Sequence, residues 1–389
     1  MEQIRNRNIV ICCDGTGNQY GRNNTNVVKL FEMLVSSDDQ KIFYDPGVGT
    51  TSKAFFEPIQ KLGNLLFQAL GSDLQRNVED AYYYLMNVYQ KGDQIFLFGF
   101  SRGAHTARRL ASMLEKCGLL HRGSENMIRY ASWMYLNEKD PEILEGFRST
   151  FSRPCPVHFI GVWDTVSALS SLLPRPKLDG YLSEKVRFAY HAVAIDERRL
   201  QFPPNLWIEK DIDKKGQVVE QVWFAGVHSN VGGWYDERGL SNIALDWMAK
   251  KAVAADLRLY PGAIENIAVD ALDKQHESWS GVWWFVPHHI YVLIVLSALL
   301  AVQLALVFAG HWWDLPVRPF SLVMGYLQNN WLGVVVGLLL LIPINKRSRT
   351  IPAGAKVHVS VKERWESPRA NYRPDNLKKV FDKITWVKS

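Results

Sequence analysis

The chain has 389 residues, of which 47% are hydrophobic and 22% charged, and its formal net charge is +6. This composition is that of a folded globular protein, and the length allows one large domain or two ordinary ones. A modest positive excess without a long Lys/Arg run disfavours a nucleic-acid groove and fits an anionic membrane surface better. The four cysteines show neither CxxC spacing nor a disulfide-rich pattern, so we expect reduced core thiols in a cytosol-facing domain.

The first predicted strand covers residues 8–13, and no apolar signal-peptide region precedes it. We therefore expect no cleavable signal peptide. The strand ends in a glycine-rich turn that contains Gly15, Thr16 and Gly17. Backbone N–H groups of such a turn can point at an anion or a developing oxyanion, which is the role we predict for these three residues. A plain Asp-Gly turn is the alternative.

The next segments alternate between helix and strand patterns. Residues 25–34 and 65–89 are predicted helices, whereas residues 41–49 and 94–100 are predicted strands. Together with the first strand they give the order β, α, β, α, β. This order predicts an α/β fold with a mostly parallel sheet and helices on both faces.

The predicted strand 94–100 runs into the pentapeptide Gly-Phe-Ser-Arg-Gly at residues 99–103, and helix-favouring residues follow. A serine on such a strand-turn-helix corner has strained backbone angles, and glycines two positions away let strand and helix approach. We predict Ser101 as a nucleophile, Gly99 and Gly103 as the elbow glycines, and the Arg102 N–H as an oxyanion donor. The alternative is that the glycines merely form a tight turn.

Two further strand-like segments end in candidate partners for the serine. Residues 157–166 lead to Asp164 and residues 221–227 lead to His228, after a helical cap predicted at 127–147. Catalytic groups of open α/β sheets lie at the carboxyl ends of strands. We predict Asp164 as the triad acid and His228 as the general base. Capping of the following turn is the alternative for Asp164.

Three residues are reserve candidates: Asp196 and Asp236 for the acid, and His358 for the base. Asp196 lies in a segment of alternating charge, which predicts a salt-bridged helix end or a surface turn. His105 and His191 are predicted to be packed or surface histidines. No metal-ligand cluster is visible, and the predicted mechanism requires neither a metal nor a cofactor.

Four segments that contain these candidates occur in a fixed order: Cys13-Asp14-Gly15-Thr16-Gly17-Asn18, Gly99-Phe100-Ser101-Arg102-Gly103-Ala104, Gly161-Val162-Trp163-Asp164-Thr165-Val166 and Gly226-Val227-His228-Ser229-Asn230-Val231-Gly232-Gly233. Together they resemble the α/β-hydrolase-like domain shared by the phospholipase effectors of the type VI secretion system and many uncharacterised bacterial and fungal relatives. The resemblance covers roughly residues 8–260 and resumes at 358–361 and 372–377. It implies a serine hydrolase with a tendency toward lipid esters and with Ser101, Asp164 and His228 as nucleophile, orienting acid and base.

Two long uncharged segments follow this region, at residues 290–310 and 320–344. As a helix the first spans about 30 Å, which matches the hydrocarbon core of a bilayer. The second is interrupted at residues 328–330, so a re-entrant or interfacial segment is its alternative. Aromatic residues cluster at the segment ends, and Lys346, Arg347 and Arg349 follow, which predicts that the catalytic domain and the tail lie on the cytoplasmic side.

The sequence thus predicts a catalytic domain at 1–280, a transmembrane helical hairpin at 281–345 and a tail at 346–389 that returns to the catalytic domain. The function we expect is that of a serine hydrolase of the bacterial inner membrane, bound to the bilayer and cleaving lipid carboxylic esters in the manner of a phospholipase. One alternative is a thioesterase or esterase acting on acylated proteins or small esters, and another is a catalytically silent membrane scaffold. A third is an effector delivered into another cell, for which the membrane topology would be inverted.

Overall fold

The computed structural model describes residues 7–15, 20–47, 59–166, 180–199, 202–208, 216–278 and 348–389. Its strands are β1 (Asn8–Cys13), β2 (Gln40–Asp45), β3 (Gln94–Phe100), β4 (Leu119–Leu120), β5 (Ser152–Arg153), β6 (Val157–Trp163), β7 (Phe188–Ala194), β8 (Val218–Phe224), β9 (Lys356–His358) and β10 (Thr385–Val387). Eight of them form one sheet in the order β2-β1-β3-β6-β7-β8-β9-β10, and every neighbouring pair is parallel. The two-residue strands β4 and β5 form a separate antiparallel pair.

Helices cover both faces of the sheet. They are α1 (Asn26–Met33), α2 (Ile59–Val88), α3 (Arg102–Cys117), α4 (Ile128–Asn137), α5 (Pro141–Phe151), α6 (His228–Gly232), α7 (Gly239–Val253), α8 (Val359–Glu366) and α9 (Asp375–Lys378), with short 3-10 turns at Glu125–Met127 and Phe381–Lys383. Side chains of β1 alternate between the two faces: Ile9 and Ile11 join a core with α2 to α5, whereas Val10 and Cys12 join a core with α1 and α7. The predicted α/β fold with helices on both faces is thus confirmed.

The predicted helices have local causes that the structure makes visible. Thr25 begins α1 because its side chain accepts a hydrogen bond from the Val28 N–H at 3.3 Å. The helical region expected at 127–147 is divided into α4 and α5. Asp140 accepts from the Glu142 N–H at 2.9 Å, and Pro141 takes the first position of α5, so a new helix begins there.

The order in which strands are added to the sheet reverses at β1, because β2 lies on one side of β1 and β3 lies on the other. In open parallel sheets such a reversal leaves a crevice at the carboxyl ends of the strands, and ligands bind there. Ser101 follows β3 at this edge, and Asp164 follows β6. His228 lies four residues after the end of β8. The topology therefore brings the three predicted site residues to one edge of the sheet.

Strand β7 was not predicted, and the segment that follows it was assigned wrongly. All but the first residue of β7 are buried, and Asp196 lies two residues beyond its end with only 6% of its surface exposed. The prediction of a salt-bridged helix end or surface turn for Asp196 is therefore wrong. The alternating charges of its segment suggested exposure to solvent, but Asp196 and Glu197 follow a buried central strand and are buried themselves, whereas Arg198 is exposed.

The tail from residue 348 extends the far edge of the sheet. Strand β9 pairs with β8, and β10 pairs with β9. A third core cluster joins residues of β7 and β8 to the tail, including Val357, Tyr372 and Leu377. The tail therefore belongs to the same folded unit as the strands that position the site.

The transmembrane hairpin expected at 281–345 lies outside the described residues. Within the part of the chain that the structure describes, none of the helices combines the length and apolarity needed to cross a bilayer. The α/β sheet with its helices is the part of the predicted fold class that the structure shows.

Candidate active site

Ser101 lies on a sharp turn between β3 and α3. Its φ is 57° and its ψ is −117°, angles that a residue with a side chain seldom adopts. The Ser101 N–H donates to the carbonyl of Trp163 at 3.2 Å, which ties the turn to the end of β6. A strained, half-buried serine at a strand-turn-helix corner is the geometry of a nucleophile elbow.

The two glycines of the elbow allow close backbone approach. A Cβ at Gly99 would lie 2.4 Å from the Gly103 carbonyl oxygen, and a Cβ at Gly103 would lie 2.0 Å from the Cys13 carbonyl oxygen. Real Cβ atoms do not come so close to backbone oxygens. The absence of a side chain at these positions therefore sets the distance between the elbow and the end of β1.

Asp164 is fully buried directly after β6, and its φ of 38° is also positive. One carboxylate oxygen, Oδ2, accepts a hydrogen bond of 2.6 Å from His228 Nδ1. The other oxygen, Oδ1, accepts from the Ala194 N–H at 2.9 Å. Because Nδ1 donates to the carboxylate, the neutral imidazole has its proton acceptor at Nε2, as a general base requires.

A guanidinium group completes the surroundings of Asp164. Arg349 Nη1 lies 2.6 Å from Oδ1, and Nη2 lies 3.0 Å from Oδ2. Burial by itself would raise the pKa of Asp164, but the charge of Arg349 and the hydrogen bond from His228 outweigh it and lower the pKa well below its ordinary value. The Asp164 carboxylate is therefore ionised throughout the neutral range.

Arg349 is a site residue that the sequence analysis missed. It was assigned to the charged flank of a membrane segment, whereas the structure leaves only 3% of its side chain exposed. Nothing in its immediate sequence distinguishes it from Lys346 and Arg347. The one available signal was the family-like motif at 372–377, which indicated that the tail packs on the domain.

His228 opens the short helix α6 and is held by three groups. Its ring packs at a tilt against Phe100, the residue before Ser101, with the ring centroids 4.6 Å apart, and the ring of Phe202 lies edge-on at 5.0 Å. The His228 backbone N–H donates to Glu197 at 3.2 Å. Although Ser101 and His228 both belong to the described residues, the structure contains no hydrogen bond between the serine hydroxyl and the imidazole.

Two buried histidines support the loop that contains Asp164. His191 Nε2 accepts from the Thr165 N–H at 3.1 Å, and His105 Nε2 lies 2.5 Å from the Val166 carbonyl oxygen, to which it donates. Burial lowers the pKa of each to about 3, so both stay neutral. They are packed histidines, one of the two alternatives predicted for them.

The predicted oxyanion donors have different outcomes. The Gly15 N–H donates to the carboxylate of Asp14 at 2.6 Å, so the role predicted for Gly15 is not supported. Thr16 and Gly17 lie outside the described residues. Arg102 occupies the first position of α3, directly after Ser101.

The reserve candidates lie apart from the Asp164–His228 pair. Asp196 accepts from the Gly226 N–H at 2.7 Å and from the Tyr372 hydroxyl at 2.8 Å, and Asp236 is exposed. His358 begins α8 and stacks at 5.0 Å on Phe224. In the described ranges no group of three or more His, Cys, Asp or Glu side chains is arranged to hold a metal ion.

A family model described as the catalytic domain of Tle1-like phospholipase effectors of the type VI secretion system matches residues 7–251. The chain belongs to this family. Ser101, Asp164 and His228 all lie in the matched region, whereas Arg349 lies beyond it.

Individual relatives cover parts of the chain. An uncharacterized protein of Saccharomyces cerevisiae is 35% identical over 217 residues, which are 50% of this chain and 32% of that protein. A solved structure of an uncharacterized protein from Pseudomonas aeruginosa covers 68% of this chain and 49% of its own, with 19% identity and a TM-score of 0.41. The structure of the Tle1 effector bound to the VgrG spike covers 59% and 51%, with 19% identity and a TM-score of 0.37. The chain thus spans about a third of the yeast protein and about half of each solved chain.

Proposed function

We propose that this member of the Tle1-like family is a serine hydrolase that cleaves the carboxylic esters of lipids with Ser101, His228 and Asp164. The observation that supports this most strongly is the buried Asp164–His228 hydrogen bond, whose imidazole packs against Phe100, the residue that precedes a strained serine. The family description, a phospholipase, favours phospholipid acyl esters as the substrate class.

In the proposed mechanism the Ser101 hydroxyl attacks the ester carbonyl while His228 Nε2 takes its proton. Asp164 stabilises the imidazolium that forms, and the ring returns the proton to the leaving alcohol. Water then attacks the acyl-enzyme with the same base and releases the fatty acid. Catalytic hydrogen bonds are often completed only when substrate is bound, so the serine–imidazole contact is expected to form in the complex.

The developing negative charge on the carbonyl oxygen needs hydrogen-bond donors. The Arg102 N–H at the start of α3 is our candidate, because the positive end of a helix dipole adds to its effect. The loop that follows Gly15 is the second candidate, as in α/β-hydrolases. Since the Gly15 N–H is bound to Asp14, we assign no role to Gly15 itself.

The family also suggests where the enzyme acts. Because the matched domain is that of type VI effectors, we propose that the phospholipids it hydrolyses are those of a target cell. Inhibition of recipient cells by a producing strain, compared with a strain carrying Ser101→Ala, tests this location. Equal survival of recipients with both strains would argue against delivery.

The test of the nucleophile is labelling with a fluorophosphonate probe, which reacts with activated serines. Wild type should be labelled, whereas Ser101→Ala and His228→Ala should not, and Ser101→Ala should lose at least about 10⁴-fold in esterase rate. Ser149→Ala is the matched control because Ser149 is exposed on α5, and it should be labelled as wild type. An unlabelled but folded wild type would exclude the hydrolase and favour a silent scaffold.

The acid is tested by three amide substitutions at candidate carboxylates. Asp164→Asn should reduce kcat by about 10⁴-fold, because an amide cannot stabilise the imidazolium. Asp196→Asn and Asp236→Asn should remain within a few-fold of wild type, since neither carboxylate contacts the His228 ring. If Asp164→Asn stayed active while Asp196→Asn were inactive, our assignment would be wrong.

Phosphatidylcholine vesicles and a soluble thioester, assayed in parallel, separate a phospholipase from a thioesterase.

A further inference from the structure

Arg349 is unusual among the residues around Asp164 because it comes from the far end of the chain. It lies 185 residues after Asp164 and outside the region that the family model matches. Both terminal nitrogens of the guanidinium bind the carboxylate, at 2.6 and 3.0 Å. Such a two-point contact fixes the plane of a carboxylate, which a single donor cannot do.

The guanidinium is itself held by the protein. Nη1 also donates to the Ala194 carbonyl at 2.8 Å, and Nη2 donates to the Phe202 carbonyl at 2.8 Å. The backbone of Arg349 is fixed as well, since Asn376 Nδ2 donates to its carbonyl oxygen at 3.1 Å and to the Ile195 carbonyl at 3.0 Å. The tail therefore presents a preorganised arginine to the acid of the site.

We propose that Arg349 is a positioning residue of the hydrolase, which orients the Asp164 carboxylate so that Oδ2 meets His228 Nδ1. This inference rests on the proposed function, because it assigns Arg349 a part in the same reaction. Arg349 acts through Asp164 and touches no reacting atom. The tail from residue 348 thereby completes the active site that the family-matched region begins.

The contact also has an electrostatic consequence for His228. Asp164 attracts a proton to the imidazole, and the guanidinium offsets part of that attraction. Glu197 also faces His228, but its charge is paired with Arg199 at 2.8 Å. His191, on the other side of the Asp164 loop, is neutral because burial lowers its pKa to about 3. Loss of Arg349 should therefore move the acid limb of the pH–rate profile to higher pH.

Arg349→Gln tests the inference in the full-length chain, with Arg364→Gln as the matched control. Arg364 is a second buried arginine of the tail, and its Nη1 donates to the carbonyls of Ala271 and Asp273. Both substitutions remove a buried guanidinium, but only one removes a contact with Asp164. The measurements are kcat and KM on a soluble fluorogenic ester between pH 5 and 9, with thermal unfolding of every variant.

We expect Arg349→Gln to lower kcat by about 10- to 100-fold with KM changed less than about threefold, and to move the acid limb of the pH–rate profile to higher pH. Arg349→Lys keeps the positive charge but loses the contact through two nitrogens, so its kcat should lie between those of wild type and Arg349→Gln. Its acid limb should lie near that of wild type, because the charge is kept. It also serves as the second test if Arg349→Gln does not fold. Arg364→Gln should lower thermal stability without moving the limb.

Three outcomes would overturn the inference. The first is a folded Arg349→Gln protein with the kcat and acid limb of wild type. The second is an Arg364→Gln protein with the same kinetic changes as Arg349→Gln, which would indicate a purely structural role. The third is a folded wild type that does not react with the fluorophosphonate probe, which overturns the proposed function and this inference with it. Labelling of wild type alone therefore distinguishes failure of the inference from failure of the function.

Discussion

Gly103→Ala tests whether the close approach of the elbow to β1 is needed for function. The added Cβ would lie 2.0 Å from the Cys13 carbonyl oxygen and 2.6 Å from that of Asp14. Both atoms belong to the backbone, so no side-chain rotation can relieve the contact. The start of α3 and the end of β1 would have to separate.

The size of the separation follows from these distances. An ordinary contact with a Cβ begins at 3.4 Å, so the Cys13 oxygen and the new methyl group must move apart by about 1.4 Å. Overpacking of this kind typically costs about 1–3 kcal/mol of unfolding free energy. Ser101 is two residues from the clash, and misplacement of a catalytic group by about 1 Å can reduce the rate by about 10²-fold. We expect both effects in Gly103→Ala.

Urea denaturation and initial rates on a fluorogenic ester measure the two effects separately. Gly146→Ala is the control, because Gly146 lies within α5 and an added Cβ there has no heavy atom within 4 Å. That substitution should stabilise the protein by up to about 1 kcal/mol and leave the rate unchanged. A Gly103→Ala protein with the urea midpoint and rate of wild type would refute the idea that glycine at this position sets the elbow.

Three further predictions concern stability and reactivity. Burial raises the pKa of Asp196 to about 6, so the native protein holds an extra proton between about pH 4 and 6 and loses stability as the pH rises through that window. In urea titrations at several pH values, Asp196→Asn should reduce this loss by on the order of 1–3 kcal/mol of unfolding free energy. The same pH dependence of stability in variant and wild type would contradict the prediction. Tyr82→Phe should lower the unfolding free energy by about 1–3 kcal/mol in the same assay, because the hydroxyl donates to the Gly118 carbonyl and accepts from the Leu120 N–H, at 2.8 Å each. An unchanged urea midpoint would show that these hydrogen bonds are dispensable. All four cysteine thiols are buried, so a thiol reagent should react slowly with the native protein and fully in urea; rapid labelling of native protein would disprove this burial.

The order of the elements from β1 to α3 and the three candidate site residues could be predicted from the sequence because each depends on a local pattern. Strand β1 was predicted with the bounds Asn8–Cys13 that the structure has, and helix α1 with bounds one residue wider at each end. Ser101 was found from the two glycines that flank it. Asp164 and His228 were predicted as titratable residues that follow strand-like segments, and the topology places them at one edge of the sheet.

Residues whose surroundings come from distant parts of the chain could not be predicted in this way. The local sequence of Asp196 is highly charged, yet its partners are Gly226 and Tyr372, so its burial is a tertiary property. Gly15 has the composition of an anion-binding turn, but the Asp14 carboxylate takes its N–H. The composition of a segment tells which hydrogen-bonding groups it contains. It does not tell which partner each group binds in the folded protein.

The sequence by itself determined the fold class and supplied the candidates that we propose as nucleophile, acid and base, since periodicity and glycine spacing are properties of short segments. Only the tertiary structure decided that Arg349 binds Asp164. In sequence it is one basic residue after an uncharged segment, and its charge suggested exposure to water. Burial of such a charge is costly unless an opposite charge lies beside it, and packing of the tail against β7 and β8 brings Arg349 to the Asp164 carboxylate.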